Sequence, residues 1–132
     1  MPSEPLWLDD QAVIEINRYL VGRTGERHAL LFPDRLAGAV LRPRNAFFYE
    51  KNSNTLSLSV NLMVAIGQAH AFEQGNKRTA FASGIAFLND NGYDLRHPDG
   101  EELGMMLEAV ILRQTAPAAL EAMLAPWIIL CE

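Results

Sequence analysis

Residues 70–78 read His-Ala-Phe-Glu-Gln-Gly-Asn-Lys-Arg, and this short stretch holds a proton acceptor, a glycine turn and two cations. Chemistry on a phosphate requires those parts. An apolar helical pattern begins at Thr79 and runs to Leu88. The stretch therefore delivers its backbone N–H groups at a helix N-terminus, where the dipole and the unpaired donors favour an anion. Gly75 can take backbone angles that other residues resist. Lys77 and Arg78 add full charges to the partial ones, and histidine, present at position 70, is the residue type that exchanges protons with a hydroxyl near neutral pH. The stretch reads as a phosphoryl- or nucleotidyl-transfer site. On residue types alone, a satisfied structural histidine beside a solvated turn accounts for the same residues, and the two readings stand side by side at this point.

The elements that must position these residues are helical. Val13, Ile14, Ile16 and Leu20 give 9–20 an amphipathic pattern with Asp9 or Asp10 as N-cap, and 22–25 ends it. Residues 35–41 predict a short helix that stops before Pro43, since a residue preceding proline is pushed out of the α region. An aromatic run from Asn45 to Tyr49, followed by the turn residues 51–54, gives a hairpin signal. Residues 55–62 alternate with period two and in isolation would be a strand. The longer window overrules this, because Leu58, Leu62 and Ile66 fall at i, i+4 and i+8, so 56–69 is expected to be a helix. The next helix, 79–89, is apolar on nearly every face, which marks a buried central helix with Gly92 as its C′ residue. Asp99 and Glu102 resemble a capping box before 103–112, and Pro117 can open a last helix ending near Pro126. Residues 127–130 (Trp-Ile-Ile-Leu) either close the core or present an apolar patch. With at most one hairpin, the fold class is all-α.

Composition bounds the function. A chain of 132 residues suits one domain, 1–132. With 49% hydrophobic and 20% charged residues and no apolar run of about 18 residues, no membrane span is expected. The start Met-Pro-Ser-Glu-Pro has neither the basic nor the apolar part of a signal peptide. One cysteine, Cys131, excludes an internal disulfide and fits a reducing cytoplasm. A net charge of −5 argues against a nucleic-acid surface, which needs clustered cations. His28 and His97 have no partners at catalytic or zinc-ligand spacing and read as structural or exposed. Met105, Met106 and Met123 read as packing residues.

The string from His70 to Ala80, His-x-Phe-x-x-Gly-Asn-Lys-Arg-Thr-Ala, resembles the signature of the Fic/Doc family, and within it the Doc (death on curing) toxin branch. Fic proteins carry Gly-Asn-Gly-Arg here and a second arginine three residues on, whereas this chain has Lys77 and Phe81 at those places. Upstream, residues 32–36, 39–43 and Asn45 are similar to the family's Arg-Asp-x-Gly-Leu-Leu-x-x-Ala-x-x-x-Pro segment. Downstream, 86–88 with Asn91, Gly92 and Tyr93 is similar to its Phe-Leu-x-x-Asn-Gly helix ending. The resemblance covers about 7–125.

That resemblance implies a compact helical domain with a small β-hairpin flap, here in the 45–54 region. It makes His70 the general base and Phe72 the loop anchor, with Gly75, Asn76, Lys77 and Arg78 as a nucleotide phosphate cradle. In Doc relatives the nucleotide is held so that a Ser/Thr hydroxyl attacks the γ-phosphate of ATP. The target class is elongation factor Tu, and translation stops. A Phd-like antitoxin neutralises the enzyme by inserting a helical segment near the site. The family's magnesium ligand falls on Gln74, with Glu73 as the neighbouring substitute; a glutamine carbonyl is a poorer partner for a hard cation than a carboxylate. The alternatives are a Fic-type adenylyltransferase, against which Lys77 weighs, and a catalytically weakened binding protein with the same fold. The self-inhibiting Ser/Thr-x-x-x-Glu motif of Fic proteins is not present in the sequence.

Overall fold

A computed structural model describes residues 3–98 and 100–131. Its elements run α1 (Asp10–Arg23), α2 (Pro33–Tyr49), α3 (Thr55–Ala69), α4 (Asn76–Asp90), β1 (Tyr93–Leu95), α5 (Glu101–Ile111), α6 (Pro117–Leu124), a 3₁₀ turn (Ala125–Trp127) and β2 (Ile128–Leu130). The fold is all-α with one small antiparallel strand pair.

Local chemistry starts several helices where the sequence suggests. The Asp9 carboxylate accepts from Ala12 N–H at 2.8 Å and caps α1. Asn54 does the same for α3 through Ser57 N–H at 2.9 Å. Pro117 opens α6, where its missing N–H costs nothing. The capping box read at Asp99 falls on a residue outside the described ones.

The centre of the molecule is α3. Leu58, Leu62 and Ile66 pack into one cluster with Val13, Leu36, Val40, Phe72 and Phe87. Val60, Met63 and Val64 pack into a second with Leu103, Leu107, Val110, Leu120 and Leu124. A helix buried on two opposite sides loses the one-sided stripe, which is why its first half mimics the alternation of a strand. The buried central helix expected at 79–89 is thus α3 instead, while α4 keeps Phe81, Ala82, Ile85 and Ala86 only partly covered. The two lie very close. A Cβ at Gly84 would fall 2.3 Å from Met63 Cε, and Ser59 Oγ donates to the Gly84 carbonyl at 2.8 Å.

Two expectations are corrected in α2. The helix does not stop before Pro43 but continues through it to Tyr49. Leu36, Ala39, Val40, Pro43 and Ala46 are all buried on one face, and that packing outweighs the carbonyl partner that proline removes. The hairpin placed at 45–54 is accordingly absent there. Asn45–Tyr49 is the last turn and a half of α2, and 51–54 is a loop with Lys51 at φ 57°. The strand pair lies elsewhere: β1 and β2 run antiparallel with Tyr93 opposite Leu130 and Leu95 opposite Ile128. Residues 127–130 do not close the core: Ile128–Leu130 is one strand of the pair, and Trp127, Ile129 and Leu130 stay exposed as the apolar patch that was the other expectation.

Candidate active site

The site is built where α3 hands over to α4. Its loop is tied down by the segment between α1 and α2: Leu31 N–H and Phe32 N–H both donate to the Ala71 carbonyl (2.8 and 3.0 Å), and Glu73 N–H donates to Ala29 O at 2.9 Å. Phe72, paired with Leu30 in an isolated β-bridge, sends its ring into the core at 2% exposure. Asn76 fastens the Phe72 backbone from the other side. Phe72 N–H donates to Asn76 Oδ1 at 3.0 Å, and Asn76 Nδ2 donates back to Phe72 O at 2.8 Å. Asn76 thereby serves the shape of the loop with both side-chain atoms.

His70 is the C-cap of α3, in the left-handed region at φ 49°. Nδ1 lies 3.2 Å from the Gly67 carbonyl. A carbonyl only accepts, so Nδ1 carries the hydrogen and the neutral ring presents the Nε2 lone pair on an exposed side chain. At the far end of the loop, Gly75 is the N-cap of α4 at φ 75°. Any Cβ there would be strained and would meet Val21 Cγ1 at 2.9 Å, so only glycine fits. The first backbone bond of α4 is Thr79 N–H to Gly75 O, at 2.9 Å. The N–H groups of Asn76, Lys77 and Arg78 have no acceptor among the described residues, which leaves three free donors at the positive end of the helix, an arrangement that favours anions.

The two cations diverge. Lys77 Nζ lies 3.4 Å from Glu108 Oε1 on α5. Arg78 turns toward the α1–α2 connection, where Nη2 donates to Glu26 Oε1 at 2.6 Å and Nη1 to Thr24 Oγ1 at 3.3 Å. The Thr24 hydroxyl and then the Arg78 guanidinium hold the Glu26 carboxyl below its ordinary range. Both cations rim a cavity of about 440 Å³ floored by Phe81, Ile85, Leu103 and Leu107.

The residues read as magnesium ligands are both exposed. Glu73 has its carboxylate 3.7 Å from Arg27 Nε. Gln74 offers a side-chain carbonyl, while its backbone oxygen is engaged with Asn17. Among the described residues no three His, Cys, Asp or Glu side chains gather closely enough to hold an ion. The protein side of the site thus offers a hard cation at most the Glu73 carboxylate and the Gln74 side-chain carbonyl.

Asn17 is the site residue that motif reading passes over. It is fully buried on α1, and its Nδ2 donates to Gln74 O at 2.9 Å and to Thr79 Oγ1 at 3.0 Å. Its Oδ1 lies 2.7 Å from His28 Nδ1, so His28 is structural as expected but holds the loop at one remove. The sequence carries a signal for it: an amide four residues after Val13 and four before Val21 sits on the apolar face of α1, where a polar group must find partners.

A model of the Fic/DOC family matches residues 7–88. The chain is also similar to the protein kinase doc of Escherichia phage P1, with 27% identity over 85 residues, 64% of this chain and 68% of that protein. The chain belongs to the Fic/Doc family, and that relative puts it on the Doc branch. The matched residues span α1 to α4 and hence the whole loop, and end before the 125 to which the motif reading extended.

Proposed function

We propose that this chain is a Doc-type toxin: a protein kinase that transfers the γ-phosphoryl group of ATP to a Ser/Thr hydroxyl of a translation factor of the elongation factor Tu class, and so arrests translation. One observation carries the reading. A histidine with its Nδ1 hydrogen committed to Gly67 O and a free Nε2 shares one loop with a three-donor helix N-terminus whose second residue is Lys77.

In this reading Nε2 of His70 takes the proton of the acceptor hydroxyl as its oxygen bonds to the γ-phosphorus. The bond from that phosphorus to the bridging oxygen breaks, and ADP leaves with it. The N–H groups of Asn76, Lys77 and Arg78 stabilise the charge on the transferred group, with Lys77 and Arg78 adding theirs. A magnesium ion, if bound, would be held mainly by the nucleotide phosphates with Gln74 or Glu73 beside it, and would offset phosphate charge. The name of the phage relative, a protein kinase, supports a transferase. The apolar cavity between α1, α4 and α5 suits a helical segment of a Phd-like antitoxin in the cytoplasm.

Adenylyl transfer is the second reading. Lys77 stands where Fic proteins have glycine, and its side chain fills the space an α-phosphate would take there. Wild-type protein, given bacterial extract, should transfer label from γ-labelled and not from α-labelled ATP. Lys77→Gly should lose much of the γ-transfer and gain at most a small α-transfer, because Phe81 stands at the place of the second arginine. Label arriving from the α position with wild type would replace kinase with adenylyltransferase. No label from either position would favour a binding protein, to which Gln74 already points.

A further inference from the structure

The face of α2 turned to α3 carries an arginine channel that the phosphate chemistry does not use. Arg35, Gly38 and Arg42 recur at i, i+3 and i+7, one stripe of α2. They line a cavity of about 460 Å³ with Gln68 and Ala69 of α3, and Arg113, which follows α5, closes it. A second cavity of about 540 Å³ shares Arg42, Gln68 and Arg113 and continues it toward α6. The channel runs to Ala69, the residue before His70.

Its charge is unbalanced. The ion pairs among the described residues use Arg18, Arg27, Lys77, Arg78 and Arg96, so Arg35, Arg42 and Arg113 have no carboxylate within reach. Asp34 lines the same channel and pairs with none of them, which leaves an excess of two positive charges in a chain of net charge −5. Two of the guanidinium groups are held in place. Arg35 Cζ lies 3.8 Å above the Phe32 ring. Arg113 sits in the left-handed region at φ 61°, and its Nη2 donates to Gln68 Oε1 at 3.3 Å while Gln68 Nε2 donates to Ile111 O at 3.3 Å. That backbone angle belongs to the C′ position that ends α5, where Gln114 N–H donates to the Ala109 carbonyl at 2.8 Å.

The phosphate already has its donors at the start of α4, at the other end of the loop from the channel. What still has to reach His70 is the acceptor hydroxyl, and Ala69, the neighbour of His70 in the chain, lines the channel. Planar guanidinium forks pair best with carboxylates and phosphates, and Asp34 disfavours the concentrated charge of a phosphate chain more than carboxylates spaced along a peptide. We propose that this channel docks the acceptor protein through a segment with Asp or Glu side chains beside its Ser/Thr hydroxyl. The proposal rests on the kinase reading for the identity of the occupant.

The probe is a fluorescein-labelled octaglutamate peptide followed by fluorescence anisotropy at low salt. Wild type should bind it in a salt-sensitive way. Arg42→Gln with Arg113→Gln should weaken binding about tenfold or more, as should Arg35→Glu alone, because charge-assisted pairs are lost. With the acceptor that γ-labelled ATP marks in extract, the double variant should raise the acceptor KM by a similar factor and leave kcat and the KM for ATP unchanged. Absent binding by wild type, equal binding by folded variants, or displacement by tripolyphosphate more readily than by unlabelled octaglutamate would each overturn the channel assignment. If wild type labels nothing, the kinase reading falls, and the anisotropy series alone decides whether the channel takes carboxylates.

Discussion

Asn17 on α1 donates to the carbonyl of Gln74 at 2.9 Å, across 57 residues of chain. Through this bond the first helix sets the peptide immediately before Gly75, and thus the direction in which the N–H groups of α4 point. Asn17→Ala would leave the Gln74 carbonyl, the Thr79 hydroxyl and the His28 N–H without a buried partner. A loss of roughly 2–4 kcal/mol and a fall in Tm on the order of 10 °C are expected. Assayed well below that Tm, kcat should fall more than KM rises, since the donors remain but are misaimed. An unchanged kcat in the folded variant would reduce Asn17 to a purely structural residue.

His70→Ala should abolish growth arrest and reduce transfer by roughly 10²–10⁴-fold. The side chain is exposed, and the backbone at φ 49° costs about 1–2 kcal/mol for any residue with a Cβ, so the fold should persist. Growth arrest by the variant at equal soluble level would mean that inhibition works by binding.

Gln74→Asp puts a hard anionic oxygen where only a carbonyl stands, and should raise activity at low magnesium while leaving it unchanged at saturating metal. Titrating magnesium against initial rate tests this. If Glu73→Gln kills activity and Gln74→Asp changes nothing, the ligand is Glu73, drawn off Arg27 when the nucleotide binds.

Glu26→Gln should tighten ATP binding by a few-fold at most, because Glu26 neutralises Arg78 in an exposed, solvent-screened pair. The carboxyl is held below its ordinary range, so the pair is complete above the usual carboxylate pKa and is lost only as pH falls through the lowered value. Variant and wild type should differ by a constant factor around neutrality and converge in acid. Calorimetric titration with ATP at two pH values reads this, and weaker binding by the variant would make Glu26 a positioning residue for Arg78.

Much of this arrangement was legible in the sequence. The cap at Asp9, proline at position 117 and the spacing of Leu58, Leu62 and Ile66 indicate helix type and order, because each acts through near neighbours in sequence, whereas Asn54 reads only as a turn residue and is in fact the cap of α3. The loop motif located His70, Phe72 and Gly75 for the same reason. What escaped depends on contacts between distant segments. The passage of α2 through Pro43 rests on a buried face that no local rule weighs, and β1 finds its partner far along the chain at β2. Asn17, Glu26 and Glu108 reach the loop from α1, the α1–α2 connection and α5, and motif spacing is silent about all three.

The loop at 70–75 joins the C-terminus of one helix to the N-terminus of the next, so its two ends carry opposite fixed charge, about half a unit each. His70 stands at the negative pole and the N–H donors of α4 form the positive one. In the proposed transfer, a proton arriving at Nε2 would place a new cation at the pole that welcomes cations, while the phosphoryl charge would grow at the pole that welcomes anions. A single turn of chain thus forms a fixed dipole aligned with the charge separation that the proposed reaction requires, and no side chain has to move to create that field.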